Sequence, residues 1–134
     1  MSSDAAKREA LERLTELLSE IAVTVDIVLV EGPRDVEALR SLGYTGDLAT
    51  CSKVHVNDVE LAEMIAAENR NVLILTDFDQ EGDELNERLS TLVEHMGSIV
   101  ERGLRGEVGR IMAVLGVRVV EALDNVRDSL TEDY

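Results

Sequence analysis

The stretch Val72-Leu73-Ile74-Leu75-Thr76-Asp77-Phe78-Asp79-Gln80-Glu81-Gly82-Asp83 sets the terms for the rest of the chain. Four branched apolar residues run straight into two carboxylates spaced i, i+2, and an acidic turn containing a glycine follows. A short apolar run bounded by polar residues reads as a buried strand of a parallel sheet. Open α/β sheets place their ligands at the carboxyl ends of such strands. Asp77 and Asp79 therefore stand where the backbone leaves the sheet, with both side chains able to aim at one point. Mg²⁺ takes oxygen ligands and usually only one or two carboxylates from protein, so this pair invites a hard divalent cation.

A second run, Val25 to Val30, ends in the same way, in Glu31-Gly32-Pro33. Pro33 suits a first helical turn, where its preset φ helps and no donor is wasted. The helix it opens carries Val36, Leu39 and Leu42 on one side and stops at Gly43. Upstream, Leu11, Leu14, Leu17, Leu18 and Ile21 recur at helical spacing from about Ser3 to Ile21, with Ser3 or Asp4 as N-cap. Downstream, Asp47 to Thr50 reads as a short strand. Asn57 or Asp58 caps a helix to about Asn69, and Asn71 to Thr76 is the next strand. A long helix from Glu81 to Met96 carries Leu85, Leu89, Leu92 and Val93, Gly97 ends it, and Ser98 to Glu101 is a short fourth strand. Leu104 to Leu115 and Val117 to Leu130 read as two more helices.

Strands alternating with helices predict an α/β fold, a Rossmann-like, mostly parallel four-stranded sheet flanked by helices. The 134 residues are expected to form a single domain. Its core would span about residues 25–100, with an N-terminal helix before it and a helical extension after it.

Composition narrows the function classes. Hydrophobic residues make up 45% and aromatics 2%, so the core must be built from Leu, Val, Ile and Ala. So few rings argue against the stacking platforms that hold single strands. The single cysteine, Cys51, excludes an intrachain disulfide and a multi-cysteine zinc site. No signal-peptide pattern opens the chain and no run is apolar enough to span a bilayer, which predicts a soluble cytoplasmic protein with no membrane partner.

The net charge is −15, and Lys7 and Lys53 are the only lysines among 13 cations. This acidic, arginine-biased balance resembles proteins of salt-loving microbes. It also opposes docking on phosphate backbones. At 1 M salt, however, the Debye length is only about 3 Å and the repulsion is short-ranged.

Glu31, Asp77 and Asp79 together form the strongest constellation. Two strands that each end in acid and glycine bring three carboxylates to one sheet edge, where they repel one another unless a divalent ion relieves them. The structural alternative is that acids after strands cap the helices that follow.

On these residues the chain resembles the Toprim family. Leu29-Val30-Glu31-Gly32, followed by Thr76-Asp77-Phe78-Asp79-Gln80-Glu81-Gly82-Asp83, is similar to that family's signature, and the resemblance runs from about Val25 to Val100. The family covers metal-binding domains of topoisomerases, bacterial primases, some nucleases and the maturases of 5S ribosomal RNA. Closest in size are small stand-alone archaeal Toprim proteins.

The resemblance implies that Asp77 and Asp79 hold one or two Mg²⁺ ions, with Mn²⁺ an alternative. Glu31 would be a general acid or base and a further ligand, with Gly32 beside it. Asp83 would support the turn, and Arg34 would reach a phosphate or else pair with Glu37 or Glu31. The implied partner is RNA or DNA, and the implied activity is phosphodiester hydrolysis, with RNA processing foremost. The alternative is a non-catalytic metal- and nucleic-acid-binding module in a larger complex, with a protein partner. A topoisomerase tyrosine nucleophile is missing, since only Tyr44 and Tyr134 are present, and so are primase-type additional segments.

Rival readings of the same acids fit less well. In a calcium EF-hand loop starting at Asp77, the twelfth position needs a bidentate Glu and here is Arg88. A haloacid-dehalogenase phosphatase uses Asp-x-Asp near its N-terminus with Thr or Val two places on, where this chain has Glu81. A metal-free scaffold would keep the turn as structure. His55, His95 and Cys51 lack partners at ligand spacing. Arg102, Arg105 and Arg110 form a cationic cluster after the long helix that reads either as a solvated face or as the candidate RNA- or DNA-contacting surface, with Arg105 and Arg110 as its contacts.

Overall fold

A computed structural model describes residues 3–53 and 55–131. Tyr134, one of the two tyrosines considered above, lies outside the described residues, as do Met1 and Ser2. The described residues form β1 (Ile27–Val30), β2 (Leu48–Thr50), β3 (Asn71–Ile74) and β4 (Ile99–Val100). The helices are α1 (Asp4–Thr24), α2 (Pro33–Ser41), α3 (Asp58–Glu68), α4 (Gln80–His95), α5 (Arg102–Leu115) and α6 (Leu123–Thr131), with a 3-10 turn at Val120–Ala122. The expected α/β class and four-stranded sheet are both present, and every strand pair is parallel.

Strand order is β2-β1-β3-β4, with Val28 opposite Leu73 and Leu29 opposite Ile74. Because strand side chains alternate, the two apolar runs feed two separate cores. Val28, Val30, Leu73 and Leu75 pack on one face with Leu14, Leu17, Leu18 and Ile21 of α1, Leu39 of α2, and Val108, Met112 and Leu115 of α5. Leu29, Val72 and Ile74 pack on the other with Leu61 and Ile65 of α3 and Leu89 and Val93 of α4. The α2 crossover thus covers one face and the α3 crossover the other. The chain leaves β1 towards β2 on one side and returns as β3 on the other. The carboxyl ends of β1 and β3 flank the reversal, the place where such sheets open a crevice.

Local chemistry fixes the helix starts. The Ser3 hydroxyl accepts from the Ala6 N–H at 3.1 Å and the Asn57 side chain from the Glu60 N–H at 2.9 Å. Strand β1 begins later than the apolar run because Val25 caps α1, its N–H donating to the Ile21 carbonyl. Tyr44 packs in the core, with the Arg40 guanidinium 5.9 Å from its ring centre. Among the described residues no helix is long and apolar enough to cross a membrane.

Candidate metal-binding corner

Glu31 leaves β1 and Asp77 leaves β3 side by side. The Asp77 N–H donates to Glu31 Oε2 at 2.7 Å, so the two strand exits are tied by a carboxylate rather than by the sheet ladder. Asp79 is the N-cap of α4, its Oδ1 accepting from the Gly82 N–H at 2.8 Å. The capping alternative is therefore present for Asp79, which caps a helix whose start sits at the sheet edge.

Gly82 is locked from three directions. Its N–H goes to Asp79, its carbonyl accepts from the buried Thr76 hydroxyl at 2.7 Å, and its Cα faces the Asp77 carbonyl. The turn closes on itself because that position has no Cβ.

Three further contributions come from positions outside the expected carboxylate set. The Val120 N–H donates to Asp77 Oδ1 at 2.9 Å, and the Phe78 N–H donates to the Arg118 carbonyl at 2.7 Å. The segment before α6 thus holds the Asp77–Phe78 backbone from outside. Asp35, only 5% exposed, accepts from the Gly32 N–H at 2.8 Å at the start of α2. Burial pushes the Asp35 carboxyl above the usual carboxylate range, and the charges of Asp77 and Glu121 add to this. A fourth acid therefore stands behind the three expected ones.

Arg105 departs most from expectation. It is buried, not on an outer cationic face, and its guanidinium donates to the carbonyls of Ile74 (3.2 Å), Thr76 (2.8 Å) and Asp77 (3.1 Å) and to Asp83 Oδ1 (3.0 Å). The reason lies in the sheet. The Arg70 and Val72 carbonyls accept from the Ile99 and Glu101 N–H groups of the β4 segment, and there β4 ends. The next carbonyls on that edge, Ile74 and Thr76, would be unpaired, and the guanidinium continues the ladder in place of a strand.

The expected cationic cluster does not form. Arg102 is tied to Glu87 and Glu94, both at 2.9 Å, and Arg110 is exposed beside α1. With 3.6 residues per turn, positions 105 and 110 point to different sides of α5. Asp83 supports the turn through Arg105. Arg34 is exposed beside Val119 and Glu121 and, among the described residues, pairs with neither Glu31 nor Glu37. Burial raises the Cys51 thiol to about 12, which leaves it no nucleophilic character near neutral pH.

The donor chemistry suits a hard divalent cation. Burial, then the neighbouring Glu31 and Asp79 charges, push the Asp77 carboxyl up to about 6, against the Val120 N–H that favours its ionised form. A cation relieves that crowding. As the side chains stand, no three His, Cys, Asp or Glu groups among the described residues are gathered to hold one ion. Two carboxylates completed by water and phosphate oxygens meet the usual Mg²⁺ pattern.

The raised Asp77 value has a thermodynamic consequence. A folded-state pKa of about 6 against an ordinary 3.8 contributes stability that is full below about pH 4 and lost as pH rises through 6. At pH 7.5 the ionised group therefore destabilises the metal-free fold, by roughly 1–2 kcal/mol after allowing for solvent screening of this half-buried group. Asp77→Asn keeps an oxygen for the Val120 N–H and removes the charge. Its thermal midpoint in EDTA at pH 7.5 is expected about 3–6 °C above wild type, with the gap vanishing near pH 4. A midpoint below wild type would sink the argument.

Comparison with known proteins agrees with the geometry. A family profile described as Toprim domain matches residues 26–114. A UPF0292 protein of Thermococcus gammatolerans is 35% identical over 115 residues, covering 86% of this chain and 84% of that protein. One from Methanosarcina barkeri is 35% identical over 119 residues, covering 87% and 81%. A solved structure of a protein from Aquifex aeolicus superposes with a TM-score of 0.62 at 20% identity, over 85% of this chain and 94% of that one, which speaks for the fold alone. With its Glu-Gly and Asp-x-Asp turns at the reversal of a parallel sheet, and with archaeal UPF0292 proteins among its relatives, the chain belongs to the Toprim domain family, whose domains bind divalent metal ions and have nucleic-acid-related functions.

Proposed function

We propose that the chain is a Mg²⁺-dependent phosphodiester hydrolase acting on nucleic acid, RNA foremost, in a cytoplasm of high salt content. The observation that carries this reading is the pairing of Glu31 with Asp77 at the sheet reversal, the Asp77 N–H donating to Glu31, with the Asp79 carboxylate two positions on at the start of α4. Asp77 and Asp79 would hold one or two ions, Mg²⁺ or Mn²⁺, with Glu31 as a further ligand. A bound divalent ion supplies positive charge to the phosphate and to the leaving oxygen. The Glu31 carboxylate, fixed by the Asp77 amide, would take a proton from the attacking water and return it to the leaving oxygen. Arg105 and Asp83 keep the Asp77 backbone in place, and Arg34, at the start of α2, offers its guanidinium to a flanking phosphate. The arginine-biased acidic surface suits molar salt, where phosphate repulsion is screened.

A second reading is a non-catalytic module that lends a metal-bound phosphate site to a protein partner. One observation favours it: each of the three carboxylates already accepts from a backbone N–H.

Calorimetric titration of Mg²⁺ and Mn²⁺ in molar KCl tests both. Asn at position 79 still caps a helix and Asn at 77 still accepts from Val120, so Asp77→Asn/Asp79→Asn is expected to fold and to bind at least about tenfold more weakly. Equal binding by this variant, or no binding by wild type even with a short oligonucleotide present, overturns the metal site. If metal binds, Glu31→Gln separates the readings: hydrolysis that disappears with folding intact marks an enzyme. Partner binding with no hydrolysis in wild type marks the module.

A further inference from the structure

Phe78 is the only phenylalanine of the chain, and it stands between the two aspartates of the corner. Its ring forms one wall of a cleft of about 380 Å³, completed by Gly109, Ala113, Gly116, Val117 and Arg118. Small-molecule sites begin at about 300 Å³, so a single base with its sugar is of the right size. The ring's position is over-determined. The Arg105 guanidinium lies 4.3 Å from its centre, the Arg118 carbonyl holds its N–H, and a Cβ on Gly109 would approach Phe78 Cε1 to 2.9 Å. A glycine at 109 lets the ring sit against α5 while the space beyond it stays open. Arg118 stands exposed at the rim and has no ion-pair partner among the described residues.

We propose that this cleft receives a nucleobase, stacked on Phe78, of the nucleotide whose phosphate lies at the carboxylate corner. The inference rests on the reading of that corner as a phosphate site. Stacking accepts any base, because every base has a π-face. On a chain of net charge −15, where backbone phosphates bring little attraction, one such contact next to the metal carries weight. The guanidinium beneath Phe78 draws electron density from the ring and favours an electron-rich partner on its free side. Arg118 at the rim is placed for the adjoining phosphate. Scarcity of aromatics excludes a platform of several rings. It does not exclude one ring in the right place.

The probes are adenosine, a 5′-phosphorylated adenine ribodinucleotide, and the same dinucleotide with an abasic spacer at its 5′ residue. Ala113 is exposed on α5, so Ala113→Trp fills the cleft without entering a core, while Asp77→Asn/Asp79→Asn disables the corner and leaves the cleft. With Mg²⁺ present, the dinucleotide with both bases is expected to bind wild type about tenfold tighter than the abasic one. Ala113→Trp should make the two equal without changing the abasic affinity. By saturation-transfer NMR, adenosine alone should contact wild type and the corner variant alike, and not Ala113→Trp.

Equal affinities in wild type with no adenosine contact overturn the pocket, whatever the corner does. A base preference that survives Ala113→Trp places the base elsewhere and overturns it too. If the abasic dinucleotide fails to bind while adenosine contact persists and is lost in Ala113→Trp, the corner reading falls and the base pocket stands.

Discussion

Arg105→Met should lower stability by about 2–4 kcal/mol, because buried main-chain carbonyls left without a donor cost about 1–3 kcal/mol each, while the Asp83 carboxylate is exposed and adds little. The guanidinium serves the Ile74, Thr76 and Asp77 carbonyls, the Asp83 carboxylate and the Phe78 ring at once. Methionine fills much of the volume and supplies no donor, so three carbonyls at the end of β3 lose their partner. Burial alone draws the Arg105 pKa down, and the charges of Asp83, Asp77 and Glu31 hold it up, so the group stays ionised. Arg105→Lys keeps the charge but not the fork, and one ammonium cannot span carbonyls two residues apart along the strand as well as Asp83. It should recover only part of the loss. Urea unfolding of the two variants and wild type checks the order. A methionine variant within about 1 kcal/mol of wild type would show that water replaces the guanidinium.

Gly82→Ala is expected to cost about 2–4 kcal/mol and to abolish metal binding. In an exposed helical turn the same change would stabilise by up to about 1 kcal/mol. Here the new Cβ would lie 2.6 Å from the Asp77 carbonyl carbon and 2.9 Å from its Cα, and closer still to the oxygen. Those atoms are backbone, and three groups pin them: Arg105 on the carbonyl, Glu31 on the N–H and Val120 on the side chain. The turn must open, and Asp77 moves with it. Gly103→Ala is the control, since it lies in α5 with nothing within 4 Å of its Cβ, and it should be neutral or stabilising. Both variants behaving alike would mean that the turn yields without consequence.

Much of this site is legible in the order of residues alone. Glu31, Asp77 and Asp79 abut apolar runs, so the strands that carry them also announce where they point. What stays hidden involves long-range partners on the backbone. Val120 reaches Asp77 across 43 positions and Arg105 reaches it across 28, and a backbone amide or carbonyl leaves no trace in residue type. Arg105 does leave a signal of another kind. Val108, Met112 and Leu115 form the buried stripe of α5, and position 105 extends that stripe by one turn. A cation on the apolar line of a helix is a cation with buried partners. Asp35 is legible in the same way, as an acid three residues after the glycine that opens α2, reaching back to its N–H. Phe78 requires the fold, because nothing in a lone aromatic says that a cleft opens beside it.

The amide of Val120 and the carbonyl of Arg118 have a consequence in time. The sheet strands that carry the acids are complete by Val100, yet Asp77 and Phe78 wait for partners some forty positions further on. During synthesis the corner therefore stays unfinished until Arg118 and Val120 have emerged. The site ripens last. A nascent chain would carry every acid of its signature and still lack the geometry that makes them a site.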